Sequence, residues 1–108
     1  MSVMSDEEIL SEIITTINGN RIAVFLKGTP EEPRCGFSAR VAGRLLENDA
    51  KFIAVDVLSD PRIREQLSAH SGWPTVPQLF VDGTLVGGCD IIEELQAQGE
   101  LAKILSGE

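Results

Sequence analysis

The stretch Ile22–Ser38 reads IAVFLKGTPEEPRCGFS, and it decides the fold. Its first five residues form a short, nearly continuous apolar run, which suits a β-strand buried on both faces of a sheet. A loop that contains two prolines follows and ends at Cys35. Beyond Cys35 the apolar residues recur at helical spacing, with Phe37, Val41 and Leu45 on one face and Ala42 and Leu46 beside them. The stretch therefore predicts a buried strand, a loop, and a helix that begins near Cys35.

The segments on either side of this stretch predict a first helix and a second strand. Ser5 followed by Glu8 has the pattern of a capping box, and Asn18-Gly19-Asn20 ends the helix that it opens. That helix would bury one face, made of Ile9, Leu10, Ile13, Ile14 and Ile17. Farther along, the apolar run Phe52–Val57 is typical of a strand.

The C-terminal half predicts a third helix and a hairpin. Asp60-Pro61 places an N-cap before a proline at the first helical position, so a helix should run to about Ser71. Asp82-Gly83 is a strong signal for a two-residue hairpin turn. The turn lies between two predicted strands, Val76–Val81 and Thr84–Val86.

The order of these elements predicts the fold. Asp90 should cap a last helix, in which Gly99 is a weak point. The chain then reads α-β-α-β-α-β-β-α within a single domain, residues 1–108. A strand–helix–strand unit followed by a hairpin gives a mixed four-stranded sheet with helices on both faces. We therefore predict an α/β protein with the thioredoxin-like fold.

The composition is that of an ordinary soluble globular protein, and it excludes several functions. The chain has 108 residues, of which 43% are apolar and 24% charged, which allows one core. A net charge of −8 argues against binding to nucleic acid or to an anionic membrane through charge. No apolar run approaches the roughly 18 residues that a membrane span needs.

The cysteines and the N-terminus indicate a compartment. Cys35 and Cys89 are too few for a disulfide framework, which favours a reducing environment. The N-terminal MSVMSDEEIL has no basic segment followed by an apolar one and is too acidic for a typical transit peptide. We therefore expect a cytoplasmic protein, or an organelle-matrix protein whose transit peptide is absent from this sequence. A histidine-rich metal site is excluded, because His70 is the only histidine.

Cys35 is the candidate reactive residue. A thiol at a helix N-terminus faces unpaired backbone N–H groups and the positive end of the helix dipole. Lys27 and Arg34 lie close in sequence and add positive charge, so the pKa of the thiol should be lowered. The alternative is a buried structural cysteine, which is common in proteins. The proline-rich loop before Cys35 and the Gly-Phe pair after it make burial the poorer interpretation.

Ser38 occupies the place of the second thiol in a Cys-x-x-Cys motif. Its hydroxyl could donate a hydrogen bond to a Cys35 thiolate, or satisfy a backbone group, but it cannot close a disulfide. A resolving thiol must therefore come from Cys89 or from a small thiol in solution. Cys89 has three interpretations, ranked as a small buried residue, a backbone contact, and an occasional disulfide partner of Cys35.

Three blocks of sequence together resemble the monothiol glutaredoxins of the CGFS type. They are KGTP and CGFS within Lys27–Ser38, the run Trp73–Gln78, and Asp82-Gly83 followed by Gly87–Asp90. CGFS alone would be a weak match, but all three blocks in order within a thioredoxin-like pattern are highly specific. The resemblance covers nearly the whole chain, from about residue 9 to residue 105.

This resemblance implies a glutathione site. Lys27 and Arg64 would pair with the glycine carboxylate of glutathione, and the backbone of Val76 would pair with its cysteinyl part. Cys89 would hold the γ-glutamyl end through backbone N–H groups at a helix start, and the Asp90 carboxylate would bind its ammonium. The residue types also suit the ligand by charge, since glutathione has two carboxylates and one ammonium.

The resemblance also implies a cis peptide bond before Pro77, which would leave the Val76 backbone free for the ligand. Position 76 often carries a bulkier residue in the family, so valine should alter the packing beside the ligand. Trp73 is better explained as a packing residue than as a stacking platform.

The binding residues also have simpler structural interpretations. Lys27 could be a solvated lysine at a strand end, and Arg64 could pair with Asp60 one helical turn away. Asp90 could be only an N-cap, or both a cap and a ligand. Gly87-Gly88 could be only a turn, although close approach of a ligand to the backbone also favours glycine.

The resemblance implies a cluster-binding function in the first place. Two protomers would share one [2Fe–2S] cluster, with four thiolate ligands from Cys35 of each protomer and from one glutathione held by each. Such a homodimer would be bridged by the cluster, and two exchangeable ligands would make the cluster labile. Family members act in iron–sulfur cluster assembly and transfer to acceptor proteins and in iron homeostasis, often with a BolA-like protein.

The alternative function is that of an enzyme, a glutathione-dependent oxidoreductase that removes glutathione from protein thiols. One nucleophilic cysteine suffices, since Cys35 can take the glutathionyl group and free glutathione can release it. The loop Thr29–Pro33 and the absent second thiol resemble the cluster-binding class, whose members are poor at this reaction. Cluster binding is therefore the preferred function.

Overall fold

A computed structural model describes residues 4–107, and it contains the mixed four-stranded sheet that the sequence predicts. The strands are β1 (Ile22–Leu26), β2 (Ile53–Asp56), β3 (Gln78–Val81) and β4 (Thr84–Gly87), in the spatial order β2-β1-β3-β4. β1 pairs parallel with β2 and antiparallel with β3, and β3 pairs antiparallel with β4. All five residues of β1 are buried, as the apolar run predicts.

Helices cover both faces of the sheet. They are α1 (Asp6–Gly19), α2 (Gly36–Glu47), α3 (Pro61–Ser71), α4 (Cys89–Ala97) and α5 (Leu101–Ser106), and a single 3-10 turn spans Val57–Ser59. α1 and α3 pack on one face, and α2, α4 and α5 pack on the other. Within residues 4–107, no helix has the length and apolar character needed to cross a membrane.

The sheet separates two apolar cores, because successive residues of β1 point to opposite faces. Phe25 faces α1 and α3, where its ring meets that of Phe80 edge-on at a centroid distance of 5.7 Å. Val24 and Leu26 face α2 and α4 on the other side, where they pack with Leu45. α2, which begins directly after the candidate thiol, therefore packs against a fully buried central strand.

Three local signals of the sequence are confirmed. Ser5 and Glu8 form the predicted capping box, in which each side chain accepts a hydrogen bond from the other's backbone N–H at 3.1 Å. Asp60 caps α3, whose first residue is Pro61. Asp82-Gly83 forms the hairpin turn with φ values of 51° and 79°, the positive values that a type I′ turn requires at both positions.

The predicted last helix is wrong in two respects. It is two helices, because Gly99 has a φ of 75° and separates α4 from α5. Its predicted cap is also wrong. Gly88 is the N-cap of α4 and has the extended backbone of a cap residue, so Asp90 lies within the first turn of the helix.

Two of the predicted strands are longer than the observed ones, whereas the last strand extends one residue further, to Gly87. β3 begins at Gln78 rather than Val76, since Pro77 has no N–H to donate to a sheet. β2 ends at Asp56, because the Asp56 carboxylate caps the 3-10 turn that contains Val57.

The predicted apolar face of α2 is only partly buried. Val41 and Leu45 are fully buried, whereas Phe37 is 56% exposed and Leu46 is 58% exposed. Phe37 lies on the first turn of α2, where it lines a surface cleft instead of the core. The helical period is correct, but it does not reveal that Phe37 and Leu46 remain exposed.

Two arginines tie helices together at the surface. Arg44 of α2 donates two hydrogen bonds of 2.9 Å to the carboxylate of Glu93 in α4. These hydrogen bonds hold the pKa of Glu93 below its usual range. Arg62 of α3 pairs with Asp60 at 2.9 Å and with Asp6 of α1 at 3.3 Å. The pairs fix how the helices lie against each other.

The loop between β1 and α2 is closed on itself. The N–H of Gly28 donates to a carboxylate oxygen of Asp56 at 2.9 Å, and the N–H of Arg34 donates to the carbonyl of Lys27 at 2.8 Å. Gly28 also bridges to Pro33 and has a φ of 93°. This closure brings the end of the loop back to the end of β1.

We predict that Gly28→Ala destabilises the protein by about 3 kcal/mol. The added Cβ would overlap the carbonyl oxygen of Glu32 and lie 2.8 Å from the amide nitrogen of Arg34, in a backbone conformation that only glycine adopts easily. Urea unfolding measures the change.

Gly43→Ala is the matched control, since a Cβ at this helical position meets nothing within 4 Å. It should stabilise the protein by about 0.5 to 1 kcal/mol. Similar unfolding midpoints for the two variants would contradict the role given to Gly28.

Candidate functional site

Cys35 is the N-cap of α2. Its backbone is extended, and its sulfur accepts a hydrogen bond from the backbone N–H of Ser38 at 3.3 Å. The sulfur therefore occupies the position in which a capping oxygen usually lies, at the positive end of the helix dipole. The side chain is half-buried and its thiol is free, so it is not the buried structural cysteine of the alternative interpretation.

Ser38 connects this thiol to the end of β1. Its side chain is fully buried, and its hydroxyl oxygen accepts a hydrogen bond of 3.0 Å from the backbone N–H of Lys27. The same oxygen lies 3.3 Å from the sulfur of Cys35. Because the Lys27 N–H donates to a lone pair of the hydroxyl oxygen, the hydroxyl proton of Ser38 remains free to be donated to a Cys35 thiolate. Ser38 therefore satisfies a backbone group, as one sequence interpretation predicts, and its hydroxyl lies within hydrogen-bonding distance of the Cys35 sulfur, as the other requires.

The surroundings of Cys35 favour its thiolate. Burial by itself raises the pKa of the thiol, but several other effects outweigh it and lower the pKa below its ordinary value. They are hydrogen bonds from the Ser38 hydroxyl and backbone N–H, one from the Phe37 backbone, and the positive charge of Lys27. Cys35 is therefore a good nucleophile and a good ligand for a soft metal.

The second cation that the sequence places near Cys35 is engaged elsewhere. Arg34 pairs with Glu32 at 3.5 Å in the exposed loop, so Glu32 offsets its charge. Lys27 is the cation whose charge lowers the pKa of the Cys35 thiol.

A cleft of about 340 Å³ lies beside Cys35. Its lining residues come from the position after β1, from α2 and α3, from the segment before β3 and from the start of α4: Lys27, Phe37, Arg64, Trp73, Thr75, Val76, Pro77, Gly88, Cys89, Asp90 and Ile91. The cleft thus brings together all five residues that the sequence assigns to glutathione. Cys35 lies next to it rather than in its wall.

One wall of the cleft is built around Pro77 and the start of α4. The Val76–Pro77 peptide bond is cis, as the sequence resemblance implies. A Cβ on Gly88 would lie 3.2 Å from the carbonyl oxygen of Pro77 and 3.2 Å from Nε1 of Trp73. Gly88 is therefore more than a turn residue, since its small size lets Trp73 pack against the helix start.

Two cations face the cleft from opposite elements. Lys27, at the end of β1, is half-buried, and Arg64, on α3, is exposed. The alternative pair between Arg64 and Asp60 does not form, because Asp60 binds Arg62. Among residues 4–107, Arg64 makes no ion pair, so its guanidinium is available to an anion.

The other end of the cleft is the start of α4. Gly88 has no side chain with which to cap the helix, so the first N–H groups of α4 lack a side-chain partner. Such N–H groups attract a carboxylate. Asp90 lies beside them with an exposed carboxylate, which suits an ammonium group.

Cys89 differs from Cys35 although it also lies at a helix start. It is buried, and burial followed by the negative charge of Glu93 raises the pKa of its thiol. The highest-ranked interpretation, a small buried residue, is therefore supported. Both cysteines are free thiols in this structure.

Sequence reasoning missed two residues of the site. The helical spacing predicts that Phe37 lies on the buried face of α2, and nothing in that spacing indicates its exposure beside Cys35. Gln78 is fully buried and hydrogen-bonded to the carbonyls of Trp73 and Thr75. A glutamine beside the apolar residues of a predicted central strand is a signal that could have identified it, since buried amides usually have partners.

Among residues 4–107, no three histidine, cysteine or acidic side chains lie close enough together to hold a metal ion.

Comparison with known proteins identifies the family. The family model described as Glutaredoxin matches residues 22–86. Glutaredoxin 4 of Pasteurella multocida (strain Pm70) is 50% identical over 99 residues, which cover 92% of this chain and 91% of that protein. The Rickettsia typhi protein named "Probable monothiol glutaredoxin 2" is 45% identical over 105 residues, which cover 97% of this chain and 95% of that protein.

Solved structures agree with the sequence relatives. The crystal structure of a buckwheat glutaredoxin–glutathione complex matches with a TM-score of 0.82 at 26% identity, over 94% of this chain and 91% of that chain. The solution structure of reduced poplar apo GrxS14 matches with a TM-score of 0.81 at 35% identity, over 94% and 93%. The chain therefore has the thioredoxin-like fold and belongs to the glutaredoxin family, in which it groups with the monothiol glutaredoxins of the CGFS type.

Proposed function

We propose that the protein binds glutathione in this cleft and, together with a second protomer, carries a labile [2Fe–2S] cluster for transfer to acceptor proteins. A reachable thiol with a lowered pKa beside a cleft of complementary charge carries this proposal. The likeness to a buckwheat glutaredoxin solved with glutathione supports the first half of it.

The cleft suits glutathione in size and in charge. Its volume of about 340 Å³ lies within the range of small-molecule sites. Lys27 and Arg64 would bind the glycine carboxylate, and the backbone of Val76 would pair with the cysteinyl residue. At the start of α4, the N–H groups of Cys89 and Asp90 would bind the γ-glutamyl carboxylate, and the Asp90 side chain would bind its ammonium.

The donor set suits a cluster that is shared between two chains. A [2Fe–2S] cluster takes four thiolate ligands, and thiolates are favoured at a cysteine whose pKa is lowered, as at Cys35. Cys89 is a poor candidate, because it is buried and the pKa of its thiol is raised. Two Cys35 thiolates and two glutathione thiolates complete the set. Half of the ligands would then be exchangeable, which suits a cluster that is cargo.

Ser38 fits this function better than a second cysteine would. It cannot form a disulfide with Cys35, so the thiolate stays available to the cluster. Its hydroxyl also lowers the pKa of that thiol. We place the protein in a reducing compartment, in the first instance the cytoplasm, with iron–sulfur acceptor proteins and a BolA-like protein as partners in cluster transfer and iron homeostasis.

The lowered pKa of Cys35 also supports a second candidate function, the reduction of mixed disulfides. The Cys35 thiolate would attack the glutathione sulfur of a glutathionylated protein, and the substrate would leave as a thiolate that takes up a proton. A second glutathione thiolate would then attack the Cys35–glutathione disulfide. That step regenerates Cys35 and releases oxidised glutathione.

Removal of Cys35 tests the cluster function. The wild-type protein incubated with iron, sulfide and glutathione should show the visible absorption of a [2Fe–2S] cluster, and Cys35→Ala should not. Cys89→Ala is the matched control and should keep the absorption, because this proposal uses only the backbone N–H of Cys89, which alanine retains, and not its buried thiol. A colourless wild type, or unchanged absorption in Cys35→Ala, would reject the cluster. A colourless wild type that rapidly reduces a glutathione mixed disulfide would favour the enzyme.

Two neighbouring arginines of α3 test the glutathione site. Arg64→Gln should weaken glutathione binding about tenfold, because a charged hydrogen bond to the carboxylate is lost. Arg62→Gln should leave the affinity unchanged, since Arg62 binds Asp60 and Asp6 and does not line the cleft. Calorimetric titration with glutathione measures both. Equal losses of glutathione affinity in the two variants would mean that Arg64 affects binding through the stability of the protein and not through contact with glutathione.

The pH dependence of alkylation tests the environment of Cys35. Because its pKa is lowered, its thiolate should persist to lower pH than that of an ordinary cysteine, and alkylation by iodoacetamide should reach half its maximal rate at that lower pH. In a Cys89→Ala background, Ser38→Ala should raise this midpoint more than Lys27→Gln does. The reason is that the Ser38 hydroxyl stabilises the thiolate more strongly than the charge of Lys27. An unchanged midpoint in Ser38→Ala would refute the hydrogen bond to the thiolate.

A further inference from the structure

We propose that Gln78 is a positioning residue that sets the shape of the glutathione cleft by holding the segment Trp73–Thr75 in place. This inference rests on the proposed binding of glutathione. It concerns a side chain that touches no ligand and that acts through the wall of the cleft.

Gln78 is well placed to hold this wall. It is the first residue of β3, and none of its surface is exposed. Its side-chain nitrogen donates to the carbonyl oxygen of Trp73 at 3.1 Å and to that of Thr75 at 3.0 Å. The amide can have only this orientation, because the reverse one would place its oxygen against two carbonyl oxygens. The side chain thus links the sheet to the segment before Pro77.

The other atom of the amide indicates that these two hydrogen bonds matter. The side-chain oxygen of Gln78 is buried, and it has no hydrogen-bond partner among the described residues. A buried acceptor without a partner is unfavourable, and an apolar side chain of the same size would avoid that cost. Gln78 therefore donates hydrogen bonds to the two carbonyls although its unpaired oxygen lowers the stability of the fold.

The segment that Gln78 holds forms one side of the cleft. Trp73 and Thr75 both line it. The indole nitrogen of Trp73 also packs against Gly88, 3.2 Å from where a Cβ would lie. The position of Trp73 therefore sets the distance between the segment before Pro77 and the start of α4. A shift of this segment would displace the two sides that we assign to glutathione relative to each other.

A positioning role differs from a purely structural one in what it changes. Loss of the Gln78 hydrogen bonds should lower the affinity of the folded protein for glutathione. It should not change the pKa of Cys35, since the hydrogen bonds that stabilise that thiolate come from Ser38 and Phe37. A purely structural residue would lower the free energy of unfolding and leave the affinity of the folded protein intact.

The test uses two variants of similar size and one control. Gln78→Met has no donor, and Gln78→Glu has none while its carboxyl is ionised. Both should bind glutathione about tenfold more weakly at pH 8 by calorimetry, with unchanged alkylation midpoints for Cys35. In Gln78→Glu, protonation restores one donor, so its affinity should partly recover as the pH falls to 6, whereas that of Gln78→Met should not. Gln98→Met, at the exposed end of α4, should match the wild type.

Each outcome bears on a definite claim. Wild-type affinity in folded Gln78→Met and Gln78→Glu would overturn the positioning role and leave the glutathione site standing. No binding by the wild type would overturn the proposed function and this inference with it. If the variants do not fold, nuclear magnetic resonance of the wild type decides. The side-chain amide protons of Gln78 should exchange slowly and shift when glutathione is added, and unshifted signals would overturn the role.

Discussion

The buried hydroxyl of Ser38 is the contact on which the site depends. It accepts a hydrogen bond from the Lys27 N–H at the end of β1 and lies 3.3 Å from the sulfur of Cys35. The central strand is fully buried, so its end has a fixed position. Because the Ser38 hydroxyl contacts both this strand end and the Cys35 sulfur, it holds the sulfur at a fixed place relative to the sheet. One side chain thus positions Cys35, lowers the pKa of its thiol and removes the chance of a disulfide within the motif. A cysteine at this position would offer a weaker donor and a competing bond.

The opposite side of the cleft, at the start of α4, depends on the lack of a side chain at Gly88. Gly88 leaves room for Trp73 and leaves the first N–H groups of α4 without a side-chain cap. An ordinary cap residue such as serine or aspartate would satisfy those N–H groups and so occupy an anion site. The helix start is therefore less stable than it could be, and it is available to a ligand. Gln78 likewise combines a local loss of stability with a role at the cleft. Its side-chain oxygen is buried without a hydrogen-bond partner, while its side-chain nitrogen holds the facing segment.

The sequence predicts the fold well where a local pattern determines the structure. The capping box at Ser5, the cap at Asp60 and the turn at Asp82-Gly83 each depend on residues adjacent in the chain, and all three are confirmed. The same patterns fail where the outcome depends on distant packing. Periodicity cannot show that Phe37 lines an exposed cleft, nor that Gly99 divides a helix whose apolar spacing continues past it. The family motifs point to residues that the structure brings together in one cleft, but the role of Gln78 is recognised only once its two carbonyl partners are seen.

The opposite pKa shifts of the two cysteine thiols explain why a second thiolate would have to come from solution. Both lie at the start of a helix, where the dipole and free N–H groups favour a thiolate. Position alone would therefore make them equivalent, yet their pKa values are shifted in opposite directions. At Cys35, hydrogen bonds and Lys27 outweigh partial burial, whereas at Cys89 burial and Glu93 outweigh the opposing effect of Arg40. The fold thus activates one thiol and keeps the other protonated within the core. A chain built in this way offers one activated thiolate, and under the proposed function a bound glutathione would supply the next.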